Sequence, residues 1–435
     1  MSEIIVDIPN YAGWSSKKID QLCSIARRGT APIYVENSSI KAIGQRCVTH
    51  SDFDPSFARP HSEKATSNIL EAEINDVLLN STGTGTIGRS VIFNDSGKYI
   101  VDGHVTVLRP HKELVDSRWL NAVLRSKWFQ RHLERFCYTG STNQLELSRT
   151  YLNSSSLPVP TEEEQSKIGD VLDSIDTQIR ETEAIIAKLQ QVKQGLLHDL
   201  LTRGVDENGE LRPSYEDAPE LYKDTPQGFI PKAWVLKSLS SYTSSLITYG
   251  IVQAGPHIEG GVPYVRTGDM SGDELVKEGM LCTSEKIAGN YFRSRVETGD
   301  IVMAIRATVG KVLPVPAELN GANLTQGTAR ISPNKSTDKD FLLWAIRHQR
   351  TQKAITNEIK GTTFAEITLA ALREVLIASP KDKSEQEIIG NRLNTLAEKL
   401  NQEVYLLKKL QLKKSGLMDD LLTGKVRVTE LLKQK

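Results

Sequence analysis

No stretch of this sequence reaches 18 consecutive apolar residues, and its start, MSEIIVDIPNYAGW, has neither a basic opening nor a long apolar run. A membrane span and a secretion signal are therefore not expected, and a cytoplasmic protein is. Cysteine is scarce: Cys23, Cys47, Cys137 and Cys282 lie far apart with no CxxC pair, which argues against a zinc site or a disulfide framework and for buried thiols. Net charge is absent as well, 54 basic against 54 acidic side chains, so the total shows no pull toward nucleic acid. Catalytic signatures are missing too. There is no GxxxxGK[ST], no HExxH, no GxSxG, no Asn/Asp-Pro-Pro-aromatic methyltransferase motif and no metal-nuclease cluster. The eight histidines are scattered; His104, read in a strand, and His198, on a helix, are taken as structural. One fingerprint does match: Gly83, Gly85 and Gly88 in STGTGTIGRS fit GxGxxG. That motif needs a helix directly after its glycines, whereas RSVIF reads as a strand, and the related stretch AIRATVGKV keeps only Gly310. The glycines are read as a flexible loop between strands.

What is present is a repeat. GLLHDLLTRGV at 195–205 returns as GLMDDLLTGKV at 416–426. The same offset aligns Gly140 with Gly361, Glu164-Gln165 with Glu385-Gln386, Ile168-Gly169 with Ile389-Gly390, and Lys188-Leu189-Gln190 with Lys409-Leu410-Gln411. Upstream, Trp14 and Trp234 mark similar starts, but the sequence between agrees only in outline. The 435 residues, 39% hydrophobic and 25% charged, suit two to four globular domains. Charge is segmental: 18 basic against 14 acidic residues in 14–160 and 17 against 15 in 234–382, with about −4 in 161–205, −4 in 206–233 and +4 in 383–435.

Each repeated part reads as one long helix. Ile168, Leu172, Ile175, Ile179, Ile186, Leu189 and Leu196 follow a heptad alternation, as do Ile389, Leu393, Leu396, Leu400, Leu407, Leu410 and Leu417. Thr161 with Glu164 forms a capping signal for the first, and Pro380 and Ser384 precede the second. Matched stripes with opposed net charge predict a paired coil; two core helices of a bundle are the plainer alternative. The variable parts show short β-branched runs split by Gly, Asn and Asp, then a helical segment (SRWLNAVLRSKWFQRHLERF; DKDFLLWAIRHQRTQKAITNEI), then a Gly/Thr turn, TGSTNQ or KGTTFA. The stretch 206–233, rich in acids and prolines, is expected to lie extended over the surface.

This order of parts resembles the specificity subunit of type I restriction–modification enzymes, over nearly the whole chain. The resemblance implies an α+β protein: two α/β target-recognition domains, 1–160 and 234–382, separated by two long helices, 161–205 and 383–435, forming an antiparallel coiled coil, with a linker at 206–233 and a pseudo-twofold internal repeat. It implies double-stranded DNA as ligand, a split target, and no catalysis or cofactor in the chain itself. S-adenosylmethionine would sit in two partner methyltransferase subunits, and ATP and magnesium in two partner restriction subunits. On this reading Thr84, Thr86, Arg89, Thr139, Ser141 and Thr142 in the first domain, and Arg306, Thr308, Lys311, Lys360, Thr362 and Thr363 in the second, are candidates for phosphate contacts. Gly140 and Gly361 would let backbone amides approach phosphate, while Asn143, Gln144, Arg266 and Gln326 could pair with base edges. Two other readings are a coiled-coil scaffold that binds only protein and a self-contained DNA-modification enzyme. The first leaves unexplained why the helices match while the domains between them diverge, and the second lacks its motifs.

Overall fold

A computed structural model describes residues 8–64, 69–141, 144–361 and 365–433. The chain divides into two units, Met1–Glu183 with Tyr405–Lys435, and Ala184–Val404, so the boundary cuts through both long helices.

In the first unit the apolar run at Val77–Asn80 forms a strand with no exposed face. Val77 and Leu79 join one core, with Trp119, Leu120, Val123 and Leu124, while Leu78 joins a second, with Phe93, Val105 and Val107. Alternate side chains point to opposite faces of a strand, so a continuous apolar run is what a sheet between two cores requires. The sheet runs, in spatial order, through Cys23–Arg28, Val105–Pro110, Val77–Asn80 and Ser90–Ile92. A smaller sheet sets Ile40–Ile43 parallel to Lys98–Val101. The helical segment is two helices, Ser117–Arg125 and Lys127–His132, because the Ser126 hydroxyl accepts from Phe129 N at 3.3 Å and starts a new turn.

The second unit repeats this build. Its four-stranded sheet takes Thr248–Tyr249, Thr328–Ile331, Ile301–Ala304 and Val312–Pro314 in order, and Val262–Val265 lies parallel to Asn323–Leu324. Ile301 and Met303 enter one core, Val302 and Ala304 the other. The repeat therefore extends upstream of Gly140, where the sequences agree only in outline. Gly29 and Gly250, which stand at the offset of the repeat, show it most sharply. A Cβ on Gly29 would fall 1.8 Å from Val101 O, and one on Gly250 would fall 1.9 Å from Leu324 O. No side chain fits at either position.

The long helices span Glu162–Thr202 and Lys383–Leu421. Inside the first unit they run antiparallel, since Asp176 pairs with Lys414 while the earlier Glu164 pairs with the later Arg427. Ile168 and Leu172 share a core there with Leu421 and Leu422. In the second unit Ile389 and Leu393 share a core with Leu200 and Leu201, the equivalent positions of the repeat. The duplicated Glu-Gln pair now has a physical reason. Gln165 accepts from Asp116 N at 3.0 Å and donates to Leu114 O and Pro160 O, tying the start of the first domain helix to the start of the long one. Gln386 does the same with Asp338 N at 2.9 Å and Pro380 O at 3.0 Å. The preceding glutamates are buried, Glu164 against Arg427 and Glu385 against Arg212 and Trp234.

Three expectations are corrected. The stretch after the first helix does not lie extended over the surface. Val205 bridges Leu211, Tyr222–Lys223 pairs with Ile230–Pro231, and Val205 and Ile230 are fully buried, because its few apolar residues fill the core of the second unit. The second long helix begins before Ser384, and Asp382 caps it by accepting from Ser384 N at 3.0 Å. His104 is not in a strand. It stands exposed in the turn before Val105–Pro110, where Asp102 accepts its backbone N–H at 3.0 Å. The thiols of Cys23, Cys47 and Cys137 are buried as expected, and Cys282 is half-buried.

Candidate nucleic-acid interface

In the first unit the glycine-rich loop leaves strand Val77–Asn80 and returns as strand Ser90–Ile92, with no helix after it. Gly83, Gly85 and Gly88 all have positive φ, at 93°, 80° and 83°, a region that L side chains avoid. The loop folds on itself: Thr86 Oγ1 donates to the carbonyls of Thr82 and Gly83 at 3.2 Å, and Arg89 Nη2 turns back to Gly85 O at 2.5 Å. A dinucleotide site is excluded by this strand–loop–strand order.

The Gly/Thr turn, far along in the chain, comes to the same place. Tyr138–Thr139 pairs with Glu146–Leu147, and Glu146 bridges Thr82 while Leu147 N donates to Ser81 O at 2.8 Å. Gly140 closes the hairpin at φ 99°, where a Cβ would lie 2.2 Å from Gln144 O. Thr84, Thr139, Ser141 and Gln144 are exposed along this cluster; Thr86 and Arg89 are half-buried. Thr142 and Asn143 lie outside the described residues. Arg28, which the sequence reading missed, locks the two loops together through Leu147 O at 2.7 Å and Glu146 at 3.2 Å.

The second unit assembles the matching parts. Arg306 bridges Glu366, Ala307 N donates to Ala365 O at 3.1 Å, and Lys360 pairs with Glu366 in turn. Ala307 and Gly310 hold positive φ at 60° and 95°, and Gly361 does so at 87°. Thr362 and Thr363 lie outside the described residues. Gln326 is exposed on the neighbouring turn, beside Gly327, whose carbonyl accepts from Ile305 N at 2.9 Å. A Cβ on Gly327 would meet Thr267 at 3.1 Å and Arg306 at 3.9 Å, which brings the 266–267 segment to the same cluster. The candidates from four separated segments thus converge.

Their cations are not bare. Arg266 is held by both oxygens of Asp269, at 2.7 and 3.0 Å, which raises its affinity for the proton, and Arg306 by Glu366 at 2.9 and 3.0 Å. Lys311 reaches Asp273 at 3.3 Å. Each loop is also pinned from behind by a glutamine. Gln130 donates to Gly88 O and Leu124 O, and Gln352 to Gly310 O and Ile346 O. The two glutamines stand at almost the offset of the helices, a usable signal hidden by the divergence around it. Among the described residues no group of His, Cys, Asp and Glu is placed to hold a metal ion, and no helix is long and apolar enough to cross a membrane.

Two similarly built units, each offering a polar loop cluster beside a sheet edge, define a duplicated recognition protein rather than a single catalytic cleft. Comparison with known proteins agrees. The type I restriction modification DNA specificity domain matches residues 11–191 and 256–410. The MjaX type I restriction enzyme specificity subunit of Methanocaldococcus jannaschii is 25% identical over 361 residues, 82% of this chain and 79% of that one. The EcoBI specificity subunit of Escherichia coli is 25% identical over 273 residues, 61% of this chain and 57% of that one. A crystal structure of the S subunit of a type I restriction–modification system from M. genitalium shares the fold, with a TM-score of 0.59 at 14% identity, over 95% of this chain and 98% of that one. The chain belongs to the type I restriction–modification DNA specificity family. As such it supplies DNA sequence recognition to a restriction–modification complex and is not its catalyst.

Proposed function

We propose that this chain reads a bipartite, asymmetric DNA target, each loop cluster reading one half, and that it works in the cytoplasm as the scaffold for two methyltransferase and two restriction subunits. S-adenosylmethionine would be bound by the former, and ATP with magnesium by the latter. The observation that carries the reading is that the two clusters share a backbone but not their side chains. Thr82 stands where Arg306 stands, and the glycine loop of one has become AIRATVGKV in the other. A common frame with different hydrogen-bonding groups is what two different half-sites demand. Phosphate would be met by Thr84, Thr139, Ser141, Thr308 and Lys360 and by amides near Gly140 and Gly361. For Arg266, Arg306 and Lys311, DNA oxygens would replace the carboxylates that hold them now, so part of the binding energy is spent on breaking those pairs.

Exchanging residues 14–160 for the same region of a related subunit tests this reading directly. Sites that share no contacts add independently. Methylome sequencing of cells carrying the hybrid with its methyltransferase should show one half of the target changed and the other kept. A change in both halves at once, or in neither, would defeat the proposal.

A further inference from the structure

The proposed DNA reading directs attention to a residue that the sequence pattern passed over. His104 stands in the turn between strand Lys98–Val101 and strand Val105–Pro110. In the second unit the turn between Asn323–Leu324 and Thr328–Ile331 is its counterpart. Lys98–Val101 pairs parallel with Ile40–Ile43, as Asn323–Leu324 does with Val262–Val265, and the strands that follow pair antiparallel with Val77–Asn80 and Ile301–Ala304. By backbone pairing His104 matches Gly327, since Ser81 N donates to His104 O and Ile305 N to Gly327 O, both at 2.9 Å; Gln326 stands one residue earlier on the same turn, and both it and His104 are exposed.

The imidazole is held at one end only. Its Nδ1 lies 2.8 Å from Thr82 Oγ1, on the loop that opens the candidate interface. Thr82 Oγ1 also accepts from the Gln45 amide N–H, while the Gln45 Oε1 lies 3.4 Å from Thr86 Oγ1. An amide N–H can only donate, so the Thr82 hydroxyl accepts from Gln45 and has its own proton to give to Nδ1. A neutral ring whose Nδ1 accepts carries its proton on Nε2, and among the described residues Nε2 has no hydrogen-bond partner. The backbone is fixed too, through His104 N to Asp102 and through Tyr34 to the other oxygen of Asp102 at 3.2 Å. A positioned donor facing outward, set in the loop cluster and backed by three polar neighbours, has the chemistry to meet a purine N7, a guanine O6 or a thymine O4 in a DNA groove.

We infer that His104 is a base-reading residue of the first unit, donating from Nε2 to an acceptor on a base edge, with Gln45 and Thr82 as positioning residues. The inference rests on the DNA-recognition reading above.

The test uses the full chain with its methyltransferase partner and two variants, His104→Ala and His104→Gln, the second keeping a side-chain N–H donor. Methylome sequencing of the wild-type complex defines the target. Binding is then measured on that duplex and on duplexes carrying single base-pair changes. Loss of a base contact of this kind should lower discrimination at one position of one half-site by about tenfold to a hundredfold, leaving the other half intact. In His104→Ala that position becomes degenerate; in His104→Gln its preference changes. A methylated sequence and discrimination profile unchanged in both variants would overturn the inference while leaving the recognition role standing. So would weakening that is equal on every duplex, which would mark His104 as a support for the fold or a phosphate contact. If the wild-type chain directed no sequence-specific methylation, the recognition reading itself would fail.

Discussion

Glu385 is the most exacting test of how the second unit is held together. Its carboxylate is nearly buried, and it accepts from Arg212 at 2.5 and 2.9 Å, from Trp234 Nε1 at 2.9 Å and from Val205 N at 3.1 Å. Gly204, at φ 66°, lets the chain come this close, since a Cβ there would lie 2.2 Å from Glu385 Oε1. Replacing Glu385 by leucine leaves the Arg212 charge uncompensated, with only 15% of its side chain exposed, and orphans two further donors. Breaking a buried pair in this way costs about 3–5 kcal/mol. Glu385→Gln keeps an acceptor for Trp234 and Val205 and loses only the charge, so about 1.5–3 kcal/mol is expected. The double variant Arg212→Met with Glu385→Leu removes the stranded charge but not the two orphaned donors. It should therefore be less destabilised than the sum of the singles by at least about 1.5 kcal/mol. A chain of two units is not two-state, so the assay is denaturant-dependent amide exchange read separately in each unit. Amides of 234–238 and 376–380 report the second unit and those of 15–18 and 156–159 the first. Coupling below about 0.5 kcal/mol, or equal losses in both units, would refute the claim that this carboxylate clamps the second unit.

Gly29→Ala and Gly250→Ala should each destabilise their own unit by about 1–3 kcal/mol, because the new methyl meets a backbone carbonyl that cannot move without its strand. Gly44→Ala, at φ −104° with open space around it, should change stability by less than about 0.5 kcal/mol; chemical denaturation of the three compares them. Burial, then Arg350 and His198, push the His348 imidazole down from 6.5 to about 4. Between those values the unfolded chain takes up a proton that the folded one refuses, so stability is full above pH 6.5 and falls as pH drops toward 4, by about 3 kcal/mol in all. His348→Gln should flatten that acid limb, and a pH series of unfolding midpoints checks it.

The sequence carried the frame better than the faces. The Glu-Gln pairs, the heptad stripes and the duplicated GLLHDLL phrase were legible because helix contacts constrain residue type at fixed spacing. Leu200, Leu201, Leu421 and Leu422 are buried at the positions the repeat marks. The loop clusters were legible only as candidates. Strand pairing joins Thr82 to Glu146 and Arg306 to Glu366 across long stretches of chain, and no local pattern announces such a bridge. Gly29 and Gly250 keep the common offset, yet they sit in sequence that otherwise diverges, since their constraint is a backbone approach and leaves the neighbours free. The stretch 206–233 misled for a compositional reason. Its acids and prolines dominate the count, while the few residues that decide its place, Leu211, Tyr222 and Ile230, are spaced too widely to form a pattern. His104 was read as structural because a lone histidine usually is; only its partner Thr82 and its exposure set it apart.

The cores of the two units make a strong statement about a chain cut near residue 230. The first unit needs Leu421 and Leu422 against Ile168 and Leu172, Lys414 against Asp176, and Arg427 against Glu164. All of these partners are lost in the fragment. It retains, however, Leu200, Leu201 and Lys193, their counterparts in the first copy of the repeat, and Arg212, which meets Glu385 in the second unit as Arg427 meets Glu164 in the first. A fragment cannot fold its own helix end back onto its own helix start, since the helix Glu162–Thr202 is continuous, but a second copy can supply that end. Two copies then complete each other through an isologous contact. Burying Leu200 and Leu201 at each of two equivalent seams contributes about 1.5–3 kcal/mol per side chain, enough for association at micromolar concentration once the helices are already formed. The opposing term is the acidic helix, near −4 overall, whose self-repulsion is screened by salt. Dimerisation should thus strengthen as salt rises, while DNA binding weakens. Sedimentation across a salt series measures the first, and methylome sequencing with the methyltransferase should then return an interrupted palindrome, because two identical clusters replace two different ones. Leu200→Asp in the fragment should abolish the pairing. A fragment that stays monomeric at every salt concentration, or an active one that marks an asymmetric sequence, would show that the two helix ends are not interchangeable.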